Sequence, residues 1–133
     1  MIKDIEEKFS LLNQTKGKLP GLPFVDIKND ILGKDYSLSL VFITEKKSLE
    51  LNRTYRKKNK PANVLSFPLS KNNGEIFISI ATAKKQAKDF ERNWESFVGF
   101  LVIHGCLHLK GLDHSSIMEK AEKKYDQKHL GRY

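Results

Sequence analysis

A chain of 133 residues, 39% of them hydrophobic and 30% charged, has the length and composition of one globular unit around a single buried core. No apolar run approaches the roughly 20 residues that cross a bilayer, and the opening MIKDIEEKF mixes acids into a stretch that a signal peptide keeps basic and then apolar, so a cytoplasmic protein without membrane contact is expected. The formal charge of +8 favours a polyanionic partner, although lysine in this number also suits a solvated surface.

The first fifteen residues stay open between two readings: Ile2, Ile5, Phe9 and Leu12 fit helical spacing, while FSLLN suits a short strand. Pro23 opens a helix whose apolar positions Phe24, Ile27 and Ile31 recur at three and four, and Gly33 ends it. SLSLVFIT, residues 37–44, reads as a strand. Thr44 then caps a helix to about Arg56, with Leu49 and Leu51 among its apolar residues. Pro61 stops any helix before it, and NVLSFPL, residues 63–69, is the next strand. The turn residues KNNG lead into EIFISI, residues 75–80, which predicts a hairpin with Gly74 in a left-handed conformation. Pro68 marks an edge or a bulge in the first of these strands. A helical stretch from Ala81 to about Arg92 and a long apolar helix from Trp94 to Lys110 follow. The last helix, Ser116 to about His129, starts at a serine cap with Glu119 three residues on. No repeat and no Pro/Gly/Ser linker divides the chain, so residues 1–133 are expected to form one α+β domain, a single mixed sheet with a central hairpin packed by about five helices.

Two stretches carry candidate chemistry. Arg53, Arg56, Lys57, Lys58 and Lys60 crowd a short segment that contains Tyr55 and runs towards Phe67, the mixture with which a single-stranded RNA groove holds phosphates and stacks bases; a basic helix end followed by a solvated loop fits this stretch equally well. The stronger signal is HGCLHLKGLDH, residues 104–114. His104 and His108 lie one helical turn apart on one face, Gly111 ends the helix and lets the chain reverse, and His114 returns a third imidazole towards the same ion. This is the spacing of the metzincin zinc helix. Three histidine ligands leave a fourth position for water, whose pKa zinc lowers to about 7. One zinc ion per chain is the expectation, with nickel and other divalent metals also suited to three imidazoles.

Gly105 stands where a metzincin peptidase has the glutamate that deprotonates that water, which argues against peptide hydrolysis and leaves room for a close approach to the metal face. Asp113 reads either as a partner that orients an imidazole or takes a proton, or as a polar residue in a tight turn. Cys106, two residues from His104, points away from the histidine face and is expected to be a small core residue. His129 is expected at a surface or helix end rather than on the metal.

These residues resemble a known family. HGCLHLKGLDH resembles the HGxLHLxGxDH signature of the YbeY endoribonucleases, bacterial rRNA maturation factors. LNRTYRKKNKPANVLSFPL resembles the same family's N-x-x-Y-R…V-L-S-F-P block, and NGEIFIS its G-D-I-x-I-S strand, with Ala62 in place of the usual threonine and Glu75 in place of the usual aspartate. The likeness covers roughly residues 37–115. It implies a sheet of about four strands with helices around it, His104, His108 and His114 as zinc ligands, and Arg56 as an arginine of the active cleft. It further implies single-stranded RNA as substrate, a role in 16S rRNA 3′-end maturation and ribosome quality control, and association with the small ribosomal subunit. On chemistry, a guanidinium at Arg56 suits the charge that builds during phosphodiester cleavage, so Arg56, His104 and Asp113 are the expected catalytic residues. Two other readings stand beside the nuclease: a ribosome assembly factor whose metal only stabilises the fold, and a zinc peptidase, which Gly105 opposes.

Overall fold

In the computed structural model, which describes residues 8–112 and 115–131, four strands make one mixed sheet: β1 (Phe9–Asn13), β2 (Ser37–Ile43), β3 (Val64–Ser70) and β4 (Asn73–Ser79), in the order β1-β2-β4-β3. β1 and β4 flank β2 in parallel, and β3 pairs antiparallel with β4 as a hairpin at the sheet edge. FSLLN is therefore a strand. The register shifts between Pro68 and Ser70, so Pro68 sits both on an edge strand and at an irregularity, where its missing N–H leaves no gap in an interior ladder.

Alternation sorts the side chains of the sheet onto two faces. Leu38, Leu40 and Phe42 of β2 lie in register with Gly74, Ile76 and Ile78 of β4, and these apolar residues are buried on one face. Onto that face pack α1 (Phe24–Leu32), through Phe24, Ile27 and Ile31, and α4 (Trp94–Leu109). α4 is apolar all round and buries Phe97, Val98, Leu101, Val102, Ile103, Cys106 and Leu107, so it runs through the middle of the molecule rather than over its surface. α5 (Ser116–Leu130) packs against it, held by an ion pair in which both Arg92 guanidinium nitrogens Nη1 and Nη2 donate to Asp126 at 2.8 and 2.7 Å.

The opposite face carries α2 (Glu45–Arg56). Its Thr44 cap accepts from the Lys47 N–H as the sequence predicts, yet its buried positions are polar, Ser48 and Asn52, while Leu49 and Leu51 are half-buried. The reason is the loop that follows. Ser48 Oγ donates to the Ala62 carbonyl at 2.6 Å and accepts from the Ala62 N–H at 2.9 Å, and Asn52 Nδ2 donates to the Lys60 carbonyl at 2.7 Å. These bonds supply the partners that a loop tucked against a sheet would otherwise lack.

Three sequence expectations are corrected. Gly74 does not adopt a left-handed conformation; it is the second residue of β4, and the need for glycine is steric. A Cβ there would collide with the Tyr36 hydroxyl and sit 3.0 Å from both Leu109 methyls. The helix expected over 81–92 ends early: α3 (Ile80–Gln86) tightens into a 3₁₀ turn over Ala87–Phe90, which Glu91 closes at φ 55°. Finally, Ser115 and not Ser116 caps α5, its hydroxyl accepting from the Met118 N–H at 3.3 Å, so Glu119 is not placed to complete a capping box.

Candidate functional site

α4 presents His104 and His108 from its last two turns, where the helix emerges at the β3 edge of the sheet. Their rings meet edge to face with centroids 4.6 Å apart, and the two Nε2 atoms lie 3.1 Å from each other. Two nitrogens each about 2.0–2.1 Å from a tetrahedral ion would be about 3.3–3.4 Å apart, so the pair at 3.1 Å falls a few tenths of an ångström short of that spacing, a difference that small ring rotations take up. On the far side of His104, Nδ1 lies 2.5 Å from Oε2 of Glu122 on α5. The donor set therefore fits an ion: two converging imidazole nitrogens, with a carboxylate behind one of them.

Where α4 ends, the helix stop expected at Gly111 is present. Gly111 takes φ 104°, a conformation that residues with a Cβ rarely adopt, and its N–H bonds the His108 carbonyl at 2.9 Å. The chain turns here as the glycine predicts. Asp113 and His114 lie outside the described residues; among those described, no group of three histidine, cysteine or acidic side chains is placed to hold a metal.

The histidines open onto a cleft of about 380 Å³ lined by Arg56, Asn63, Val64, Ser66, Pro68 and Leu109 besides the two rings. Arg56 comes from the last residue of α2, Asn63 to Pro68 from the loop and edge strand β3, and the imidazoles from α4. Three elements that are separate in sequence thus converge because β3 is the strand on which α4 ends. Of the basic segment, Arg56 lines the cleft, whereas Lys57, Lys58 and Lys60 are exposed on the loop beside it and Arg53 is turned to Asn59, its Nε donating to Oδ1 at 2.5 Å. Tyr55 is 65% exposed and meets the Phe67 ring at 5.3 Å on the opposite sheet face from Ser66.

Gly105 faces inward. A Cβ there would lie 2.9 Å from Ile76 Cδ1 and 3.0 Å from Ser66 Oγ. What approaches α4 at this point is the sheet, so no glutamate side chain fits in the space. Cys106 is fully buried, as expected, and burial pushes its thiol up to about 12. His129 is at a helix end, but its side chain is only 9% exposed and its Nε2 lies 2.9 Å from Asp30 Oδ2.

Sequence reasoning missed Glu122, Ser66 and Asn63. For Glu122 a signal existed: Met118, Glu122 and Tyr125 recur at four and three on α5, which puts a carboxylate on the stripe facing the core.

The architecture and the cleft together define a class: a mixed four-stranded α+β sheet whose central helix carries a histidine pair into a polar groove at the edge strand. The sequence model of the family described as "Endoribonuclease YbeY" matches residues 23–132. The chain belongs to this family. Curated relatives bearing the same name include those of Alkaliphilus metalliredigens, 39% identical over 66% of this chain and 64% of that one, and Acholeplasma laidlawii, 39% identical over 74% and 72%. A third, from Aquifex aeolicus, is 44% identical over 62% of this chain and 60% of its own. The matches thus span between 60% and 72% of these relatives' lengths. The solution structure of TM1509 from Thermotoga maritima is similar with a TM-score of 0.67 at 29% identity, over 92% of this chain and 89% of that one. Among the described residues no helix is long and apolar enough to cross a membrane.

Proposed function

We propose that the protein is a metal-dependent endoribonuclease that cuts single-stranded RNA. The observation that carries this reading is the histidine pair, Nε2 to Nε2 at 3.1 Å, opening onto a cleft that Arg56 also lines. Family membership supports the RNA substrate, and the formal charge of +8 supports binding to a polyanion.

His104 and His108, with His114, would hold one zinc ion, or another divalent metal that imidazole suits. When bound, it would supply a Lewis acid and a water of lowered pKa. Arg56 donates paired N–H groups to the non-bridging oxygens of the scissile phosphate, stabilising the charge that builds on them. Lys57, Lys58 and Lys60, with Arg53, hold flanking phosphates without reading sequence. Asp113 orients His114 or accepts a proton from the nucleophile. The missing peptidase glutamate is consistent with this division of labour, since the residue at that position is committed to packing. The biological substrate we assign is the 3′ end of 16S rRNA, cut in the cytoplasm on the small ribosomal subunit during maturation and quality control.

The test is cleavage of a 3′-extended 16S rRNA fragment by protein purified without affinity nickel, before and after chelation, with its metal content measured by elemental analysis. His108→Ala is expected to lose both metal and cleavage. Arg56→Ala is expected to keep its metal and to lose at least about a hundredfold in rate, the scale of one electrostatic donor. Well-folded, metal-loaded protein that leaves RNA intact would sink the nuclease reading in favour of an assembly factor.

A further inference from the structure

Glu122 reaches His104 from the side away from His108. Its carboxylate faces Nδ1 at 2.5 Å, and the side chains of the pair are only 20% and 15% exposed. A ring nitrogen this close to a carboxylate oxygen carries a proton, because two lone pairs would repel there. The remaining nitrogen, Nε2, is the one turned to His108.

We infer that Glu122 is a positioning residue, which holds His104 as its Nδ1–H tautomer and so presents the Nε2 lone pair to the cleft. Its own placement is fixed on both sides along α5. Met118, one turn before, is 1% exposed in the core, and Asp126, one turn after, is clamped by Arg92 through two hydrogen bonds. α5 can therefore neither roll nor slide without breaking one of them. An unconstrained neutral histidine side chain favours the proton on Nε2, the nitrogen that must be bare to bind an ion, so a neutral histidine here without its carboxylate would have to change tautomer before ligating. The bond to Glu122 removes that step and also fixes the ring plane.

The tautomer is visible without metal or RNA, in the ring nitrogen shifts of His104 in ¹⁵N-labelled, metal-free protein at mildly alkaline pH. The wild type is expected to be protonated on Nδ1 alone. Glu122→Gln keeps an oxygen that can accept the hydrogen bond and should retain this state, whereas Glu122→Met fills similar space without accepting and should move the proton to Nε2. The same Met variant should bind zinc about 10–100-fold more weakly, with the Gln variant in between. A wild-type ring protonated on Nε2, or on both nitrogens, overturns the inference whether or not the variants fold. So does a Met variant that keeps the Nδ1 proton or the wild-type zinc affinity. The inference rests on the proposed metal cleft for its purpose, but the tautomer is read without RNA: failure to cleave would leave it standing, and a wrong tautomer would leave cleavage standing.

Discussion

Single residues in α4 show two chemistries on one helix. His104 and His108 face the groove, while Gly105 and Cys106 between them face the sheet and the core. The sequence carries the histidine pair and the glycine turn, because helical period and the left-handed preference of glycine are local properties. It carries the absence of a glutamate but not the reason, since Ile76 and Ser66, the atoms that crowd Gly105, come from strands about 30–40 positions earlier. Substituting Gly105→Ala weighs two opposed effects. Alanine gains about 1 kcal/mol of helix propensity over glycine, and crowding a packed core costs about 1–3 kcal/mol. With a Cβ at 2.9 Å from Ile76 Cδ1, the second term is expected to win, giving a net loss of up to about 2 kcal/mol by denaturant unfolding. A stabilised variant would show that the interface gives way and that the glycine serves something other than packing.

At the level of elements, order and type were legible from period, caps and turn residues, and what was not legible is how they meet. α2 is the clearest case. Its leucines drew the sequence reading, yet Ser48 and Asn52 form its buried stripe, because the loop carrying Lys58 to Ala62 must be bonded before it can lie on the sheet. β1 stayed ambiguous for a related reason: only pairing with β2 decides between helix and strand in so short an apolar run. His129 likewise looked superficial until α1 supplied Asp30. That carboxylate is held below its ordinary 3.8 first by its hydrogen bond from Lys128, with His129 also bonded to it. It thus ties α1 to α5 in its charged form. A depressed carboxylate contributes stability that is present above the unfolded value and is lost as pH falls through the folded one. Wild type should therefore exceed Asp30→Asn in melting temperature at neutral pH, with the gap closing below about pH 4 as the carboxyl takes up its proton. A gap that stays constant into acid would remove the ion pair as its cause.

Over the whole molecule, the formal charge of +8 and the groove at the β3 edge both suit the polyanion proposed as substrate. RNA affinity should fall linearly on a log–log plot against salt, and Arg56→Ala should reduce the slope by about 1, one phosphate contact, while Glu122 variants leave the slope unchanged. An Arg56 variant with the wild-type slope would place that guanidinium off the RNA backbone. The connectivity adds a dependence of one helix on another. Both imidazoles belong to α4, but the carboxylate behind His104 belongs to α5, which follows it in the chain. A chain cut off after α4 keeps His104 and His108 but has neither His114 nor Glu122. On the reading given above, undocking α5 from α4 leaves His104 free to change tautomer, so the last helix acts as a latch on the proposed metal ligand.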